Sequence, residues 1–286
     1  MEILVRTVIT VFVCYSIFLV GIYAFQEKLL FHPEVARDYE PRSFPMNIKK
    51  FFIETKDGAK LHALRSKNPP ENSPIILAFG GNAHNLTMFT SYMSGLLPSV
   101  ETIAVNYRGF GESTGSPNAT HILEDARHAL DWVTSEYPNR EVYVMGVSMG
   151  TGPTTLLSQD PRVKGAMLVM PYDDLTDLAY EKFKWVPVSY LFRNPIPSIE
   201  WAPNAKAPVA IVVAGDDKLI VNARSERLRD AFPKVVDYST LSGVGHVALL
   251  EDTRLDNWIQ TAFEKLQAES REAKYQTNSP AEARPL

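Results

Sequence analysis

The chain has 286 residues, enough to bury a sizeable core without requiring a second domain, and 45% hydrophobic with 22% charged residues is an ordinary globular balance. A formal net charge of -4 offers no basic stripe for a phosphate backbone, which argues against nucleic acid as a partner. Cys14 is the only cysteine, so an intrachain disulfide and a cysteine-rich metal site are both excluded.

Between Thr7 and Phe25 no residue ionises apart from Tyr15, Tyr23 and Cys14, and this length is about what one helix needs to cross a bilayer. Residues 7–25 therefore read as a single uncleaved span and residues 1–27 as an anchor. The run is longer than a secretory h-region, and Ile22-Tyr23-Ala24 is a poor cleavage site. Arg6 on one flank is matched by Lys28, Arg37 and Arg42 on the other, so the charge rule does not fix sidedness.

The next elements are two strand-like runs, Ile48 to Thr55 and Lys60 to Arg65, around the turn pair Asp57-Gly58, which predicts an antiparallel hairpin. From Pro74 the pattern changes to short continuous apolar runs: Ile75 to Phe79, Thr102 to Val105, Val142 to Met145, Ala166 to Met170, Val209 to Ala214 and Val235 to Leu241. Such runs, separated by amphipathic segments, are how strands covered on both faces by crossover helices appear. Ile122, Leu123, Ala126, Ala129, Leu130 and Val133 recur at helical spacing between the second and third of them. The expectation is a mostly parallel α/β sheet in one domain, residues 28–268. Tyr172 to Pro208 breaks the rhythm with several prolines and aromatics and reads as a small helical cap, about residues 172–207, inserted after strand six. Residues 269–286 are too polar to fold alone and read as a disordered tail.

The chemistry begins at Gly146-Val147-Ser148-Met149-Gly150. This G-x-S-x-G pattern arises by chance in roughly one chain in ten, but here it directly follows an apolar strand and precedes a helix-compatible segment. That setting is a nucleophile elbow, with Ser148 as nucleophile and glycines that let strand and helix pass close by. A serine hydroxyl needs a base, and the base needs a third group to hold its tautomer. His246 alone among six histidines follows the last strand, in the small-residue loop Ser242 to His246; His121 and His128 lie on the amphipathic helix, and His32, His62 and His84 precede the serine. Ala214-Gly215-Asp216-Asp217 ends a strand between serine and histidine, so Asp217 is favoured as the acid, then Asp216, with Asp173 or Asp174 as outsiders. The tetrahedral oxyanion requires two backbone donors, expected from Met149 and from Asn82 in the Gly80 to Ala83 loop.

With these motifs in hand, the chain resembles the membrane-anchored, single-span α/β-hydrolase-domain serine hydrolases, from the anchor to about residue 265. Gly80-Gly81-Asn82, Asn106-Tyr107-Arg108-Gly109-Phe110-Gly111-Glu112-Ser113, the Ser148 elbow, Asp217-Lys218-Leu219-Ile220-Val221 and Gly243-Val244-Gly245-His246 correspond to that family's motifs. The register of the fourth motif is a further reason to prefer Asp217. Gly80 departs from the pattern, since the family usually has histidine there. The resemblance implies the α/β-hydrolase fold in a membrane-anchored protein; the acyl-enzyme mechanism expected of the triad needs no metal or organic cofactor, and a monomer is expected. It also implies hydrolysis of an ester or thioester of a lipid or small acyl substrate. A peptidase on the same fold and a catalytically silent binding protein are the rivals. Two N-x-S/T triplets, at Asn85 and Asn118, identify no compartment.

Overall fold

The computed structural model of the chain describes residues 1–38, 45–66 and 70–278. Arg42 and residues 279–286 of the expected tail lie outside the described residues. The chain opens with α1 (Glu2–Leu30) and the short α2 (Pro33–Asp38), followed by β1 (Ile48–Glu54), β2 (Lys60–Ser66), β3 (Ile75–Phe79), α3 (Leu86–Leu96) and β4 (Glu101–Val105). Next come α4 (Ala119–Glu136), β5 (Val142–Val147), α5 (Thr151–Leu157), β6 (Val163–Val169), α6 (Leu175–Lys182), α7 (Val188–Leu191) and α8 (Ser198–Trp201). The chain closes with β7 (Val209–Ala214), α9 (Asn222–Ala231), β8 (Val235–Leu241) and α10 (Thr253–Asn278).

The eight strands form one sheet in the order β1-β2-β4-β3-β5-β6-β7-β8. β1 and β2 pair antiparallel, as do β2 and β4, and every later pair is parallel. In β3, β5 and β7 every residue is buried, which is why these strands read as unbroken apolar runs; β4 is equally buried but opens with Glu101 and Thr102. Alternate side chains serve opposite faces: Ile75, Leu77 and Val144 join α4 and α9, whereas Ile76, Ala78 and Met145 join α3 and α10. The crossover helices are stopped and started by local chemistry. Asn85, Asn118 and Asp174 accept amide hydrogens at the N-termini of α3, α4 and α6, so both N-x-S/T asparagines are helix caps.

Two elements run past their expected ends. α10 continues through the start of the polar segment because Ser270 is buried and reaches Glu141, with which Lys274 also pairs. Polar pairing of this kind leaves no apolar period to read. At the other terminus, α1 contains an 18-residue window of mean hydropathy 2.3, none of it buried, and is long and apolar enough to cross a membrane. Its last turns nevertheless belong to the folded body. Leu19 and Ile22 pack on Ala179, Val186 and Val188 of the cap, and the Tyr15 hydroxyl donates to Trp185 O at 2.7 Å. Buried Gln26 donates to Leu191 O and accepts from Arg193 N–H and Asn194 Nδ2, while Glu27 pairs with Arg193. Phe31, just beyond α1, is 2% exposed in the main core.

Candidate active site

The loops that follow β3, β5, β7 and β8 meet at the carboxyl edge of the sheet, where α/β folds place their sites. Strand β5 ends in Ser148 with φ of 51°, a left-handed conformation that a non-glycine residue adopts at a cost. The flanking glycines make this turn sterically feasible. A Cβ on Gly150 would lie 2.1 Å from Phe79 O, and one on Gly146 2.2 Å from Gly150 O. Thr151 Oγ1 donates to Ser148 O at 2.6 Å and Thr154 Oγ1 to Gly150 O at 2.8 Å, tying the turn to α5.

His246 stands between Ser148 and Asp217. Its Nε2 is 2.9 Å from Ser148 Oγ and its Nδ1 is 2.6 Å from Asp217 Oδ2. A carboxylate can only accept, so the ring proton is assigned to Nδ1 and the Nε2 lone pair is left to receive the serine hydroxyl. The Asp217 side chain is 2% exposed, and its Oδ1 accepts the amides of Leu219 and Ile220 at 2.8 and 2.9 Å. Burial, the largest single influence, pushes this carboxyl up, but the bonds from His246, Ile220 and Leu219 together hold it below its ordinary range. The neighbouring Asp216 is exposed, and its amide donates to Val244 O at 2.9 Å, fixing the acid loop to the histidine loop. Asp173 is held by Arg224 and Arg227, and Asp174 caps α6, so neither takes part in the bond chain to His246. His121 and His128 contact the backbone carbonyls of Ser116 and Glu54.

Gly81 brings the β3–α3 loop against the serine: a Cβ there would be 3.5 Å from Ser148 Cβ. Met149 begins the turn into α5, with its carbonyl 3.3 Å from the Tyr172 hydroxyl. At Gly80 a side chain would meet Leu86 Cδ2 at 2.7 Å and His84 Cβ at 3.1 Å, so His84 already fills the space beside the residue that lacks one. The His84 ring packs against Phe89 at a tilt of 59°, and burial lowers its pKa to about 4. Two supports of this loop escaped the sequence reading. The Tyr107 hydroxyl donates to Gly80 O at 2.8 Å, and the Asn82 side chain bonds to residues at the end of α1. Each joins residues at least 27 positions apart, and neither carries a local sequence signal. Among the described residues no cluster of three or more His, Cys, Asp or Glu could hold a metal ion.

Between α1 and the cap lies an apolar cavity of about 330 Å³, lined by Phe18, Ile22, Leu29, Val186, Val188 and Phe192 among others. Leu30, which also lines it, accepts from Asn82 Nδ2 through its backbone carbonyl.

Comparison with known proteins agrees with this architecture. A family model described as the alpha/beta hydrolase fold matches residues 74–191. An uncharacterized protein of Mycobacterium tuberculosis is 28% identical over 232 residues, covering 79% of this chain and 82% of its own. The lysophosphatidylserine lipase of Xenopus tropicalis is 29% identical over 139 residues, covering 45% of this chain but 34% of its own. The solved esterase Pf2001 of Pyrococcus furiosus superposes with a TM-score of 0.60 at 18% identity, over 80% of this chain and 93% of that one. The chain thus has the alpha/beta hydrolase fold, and it carries an apolar helix long enough to span a membrane.

Proposed function

We propose that the protein is a membrane-anchored serine hydrolase that cleaves carboxylic esters or thioesters of acyl lipids through an acyl-enzyme. The observation that carries this reading is the continuous bond chain from Ser148 Oγ through His246 to Asp217 Oδ2, at 2.9 and 2.6 Å. Ser148 attacks the acyl carbonyl as His246 takes its proton, and His246 then returns that proton to the leaving alkoxide or thiolate. The carboxylate of Asp217 stays ionised and stabilises the imidazolium that forms between these steps. Water, deprotonated by the same imidazole, hydrolyses the acyl-enzyme. The N–H groups of Asn82 and Met149 are assigned to the oxyanion, whose charge they would stabilise more than the ground-state carbonyl.

The acyl-lipid assignment is supported by the apolar cavity, whose wall is shared by α1 and the cap. It is also consistent with relatives named as a lipase and an esterase. α1 is assigned as a single-pass anchor, on its length and hydropathy. The test is hydrolysis of p-nitrophenyl esters of increasing acyl length by the full chain in detergent, wild type beside Ser148→Ala. Loss of about 10⁴-fold or more in kcat with the variant is expected, together with an optimum at medium or long acyl chains. Activity equal in the two proteins would remove Ser148 from the chemistry, and an optimum at acetate would remove the lipid assignment.

A further inference from the structure

The side chain of Asn82 reaches the end of the anchor helix. Its Oδ1 accepts from His32 N–H at 3.0 Å, and its Nδ2 donates to Leu30 O at 2.6 Å. Both backbone groups come from the helix terminus, where the last carbonyls and the amides beyond the cap have no intrahelical partner. An asparagine amide, with one accepting oxygen and a donating nitrogen, can satisfy one group of each kind together. The terminus it grips is itself fixed. Phe31 is buried in the main core, Gln26 makes three hydrogen bonds to residues 191–194, and Glu27 pairs with Arg193 at 2.8 Å.

The loop holding Asn82 has little else to shape it. Gly80 and Gly81 impose few conformational limits. Among the described residues, the hydrogen bonds made by residues 80–83 are Tyr107 on Gly80 O, the short-range His84 N–H on Gly81 O, and the two from the Asn82 side chain. We infer that the Asn82 side chain is a positioning residue, using the end of α1 as the template that aims the Asn82 backbone N–H at the oxyanion. The membrane anchor is on this account a structural part of the catalytic centre, and not only a tether. The inference rests on the serine-hydrolase reading above and adds to it a role for residues 30–32.

The test is made on the full chain in detergent micelles, with p-nitrophenyl butyrate as substrate and an aliphatic trifluoromethyl ketone as inhibitor. The ketone's serine adduct carries an oxyanion where the intermediate does. Asn82→Leu keeps the backbone N–H and approximate volume but removes both bonds. It should lower kcat between about 10- and 100-fold, as expected for a misaimed group, with KM within about twofold. The ketone's inhibition constant should rise by a similar factor, since the transition state and its analogue use the same donor. His32→Pro attacks the contact from the other side, removing the residue 32 N–H at a position that Pro33 already biases to extended backbone. It should produce the same pattern, several-fold in size, and it decides the matter if Asn82→Leu does not fold. Unchanged kcat and ketone affinity in a folded Asn82→Leu, or a fall in kcat with ketone affinity intact, would overturn the inference. Failure of the underlying reading looks different: wild type would then show no Ser148-dependent hydrolysis at all.

Discussion

The two halves of the candidate site are built in opposite ways. The serine turn is made by five consecutive residues, and its shape is enforced where it is encoded: a Cβ on Gly146 would collide with Gly150 O and one on Gly150 with Phe79 O. The loop across from it, residues 80–83, is loosely encoded and is shaped from outside by Tyr107 and by Leu30 and His32, some 50 residues earlier. The first half is a covalently local device and tolerates little change within itself. The second depends on the packing of the whole amino-terminal region, so damage to it can start far away.

Four further measurements would sharpen or break this contrast. Asp217→Asn should reduce kcat/KM by about 10³- to 10⁴-fold by spoiling the imidazole tautomer. Asp216→Asn should change it little, because that exposed side chain is absent from the bond chain; comparable losses in the two would show that the acid loop acts as a unit. Gly150→Ala places a methyl 2.1 Å from Phe79 O and should destabilise the fold by about 3 kcal/mol or more, read from denaturant melts. A near-neutral result would mean that the local half is as adaptable as the distant one.

The third prediction concerns acid. The His84 pKa falls from 6.5 to about 4 on folding because burial disfavours the charged ring. Between those values the unfolded chain binds more protons than the native one, so stability is complete above pH 6.5 and declines as pH falls towards 4. The His84 share of that decline should be about 3 kcal/mol. His84→Phe should flatten the melting-temperature profile over that interval, leaving the buried His62, whose pKa is also lowered by burial, as a remaining contributor. An unaltered profile would remove His84 from the account. Smallest of the four, Tyr107→Phe deletes the donor to Gly80 O and should cost about 1 kcal/mol of stability. It should also lower kcat a few-fold at most if Asn82 is the dominant support of the loop.

Much of the architecture was legible because burial on both faces writes itself as apolar runs. The hairpin β1–β2 and each of the six later strands begin or end within a few residues of the runs that announce them. Ser148, His246 and Asp217 stood out because their loops follow such strands, and the structure brings the three side chains into one bond chain. What stayed hidden was polar and distant. Gln26 sits in an apolar segment and looks like the end of a span, yet it is buried against the cap. The helical continuation past residue 268 depends on Glu141, which is more than a hundred residues away. Gly80 stands where the family usually has histidine, and nothing local shows that His84 occupies the neighbouring space and Tyr107 holds the carbonyl.

The contact between Tyr15 and Trp185 fixes how far the helix can reach before meeting the cap. The outer edge of the cap beside that contact carries Phe183, Trp185 and Tyr190, which are 45%, 57% and 88% exposed. Aromatic rings of this kind settle at the level of lipid headgroups. With α1 across a bilayer, the Tyr15–Trp185 contact would work as a depth gauge, setting these rings at the headgroup layer.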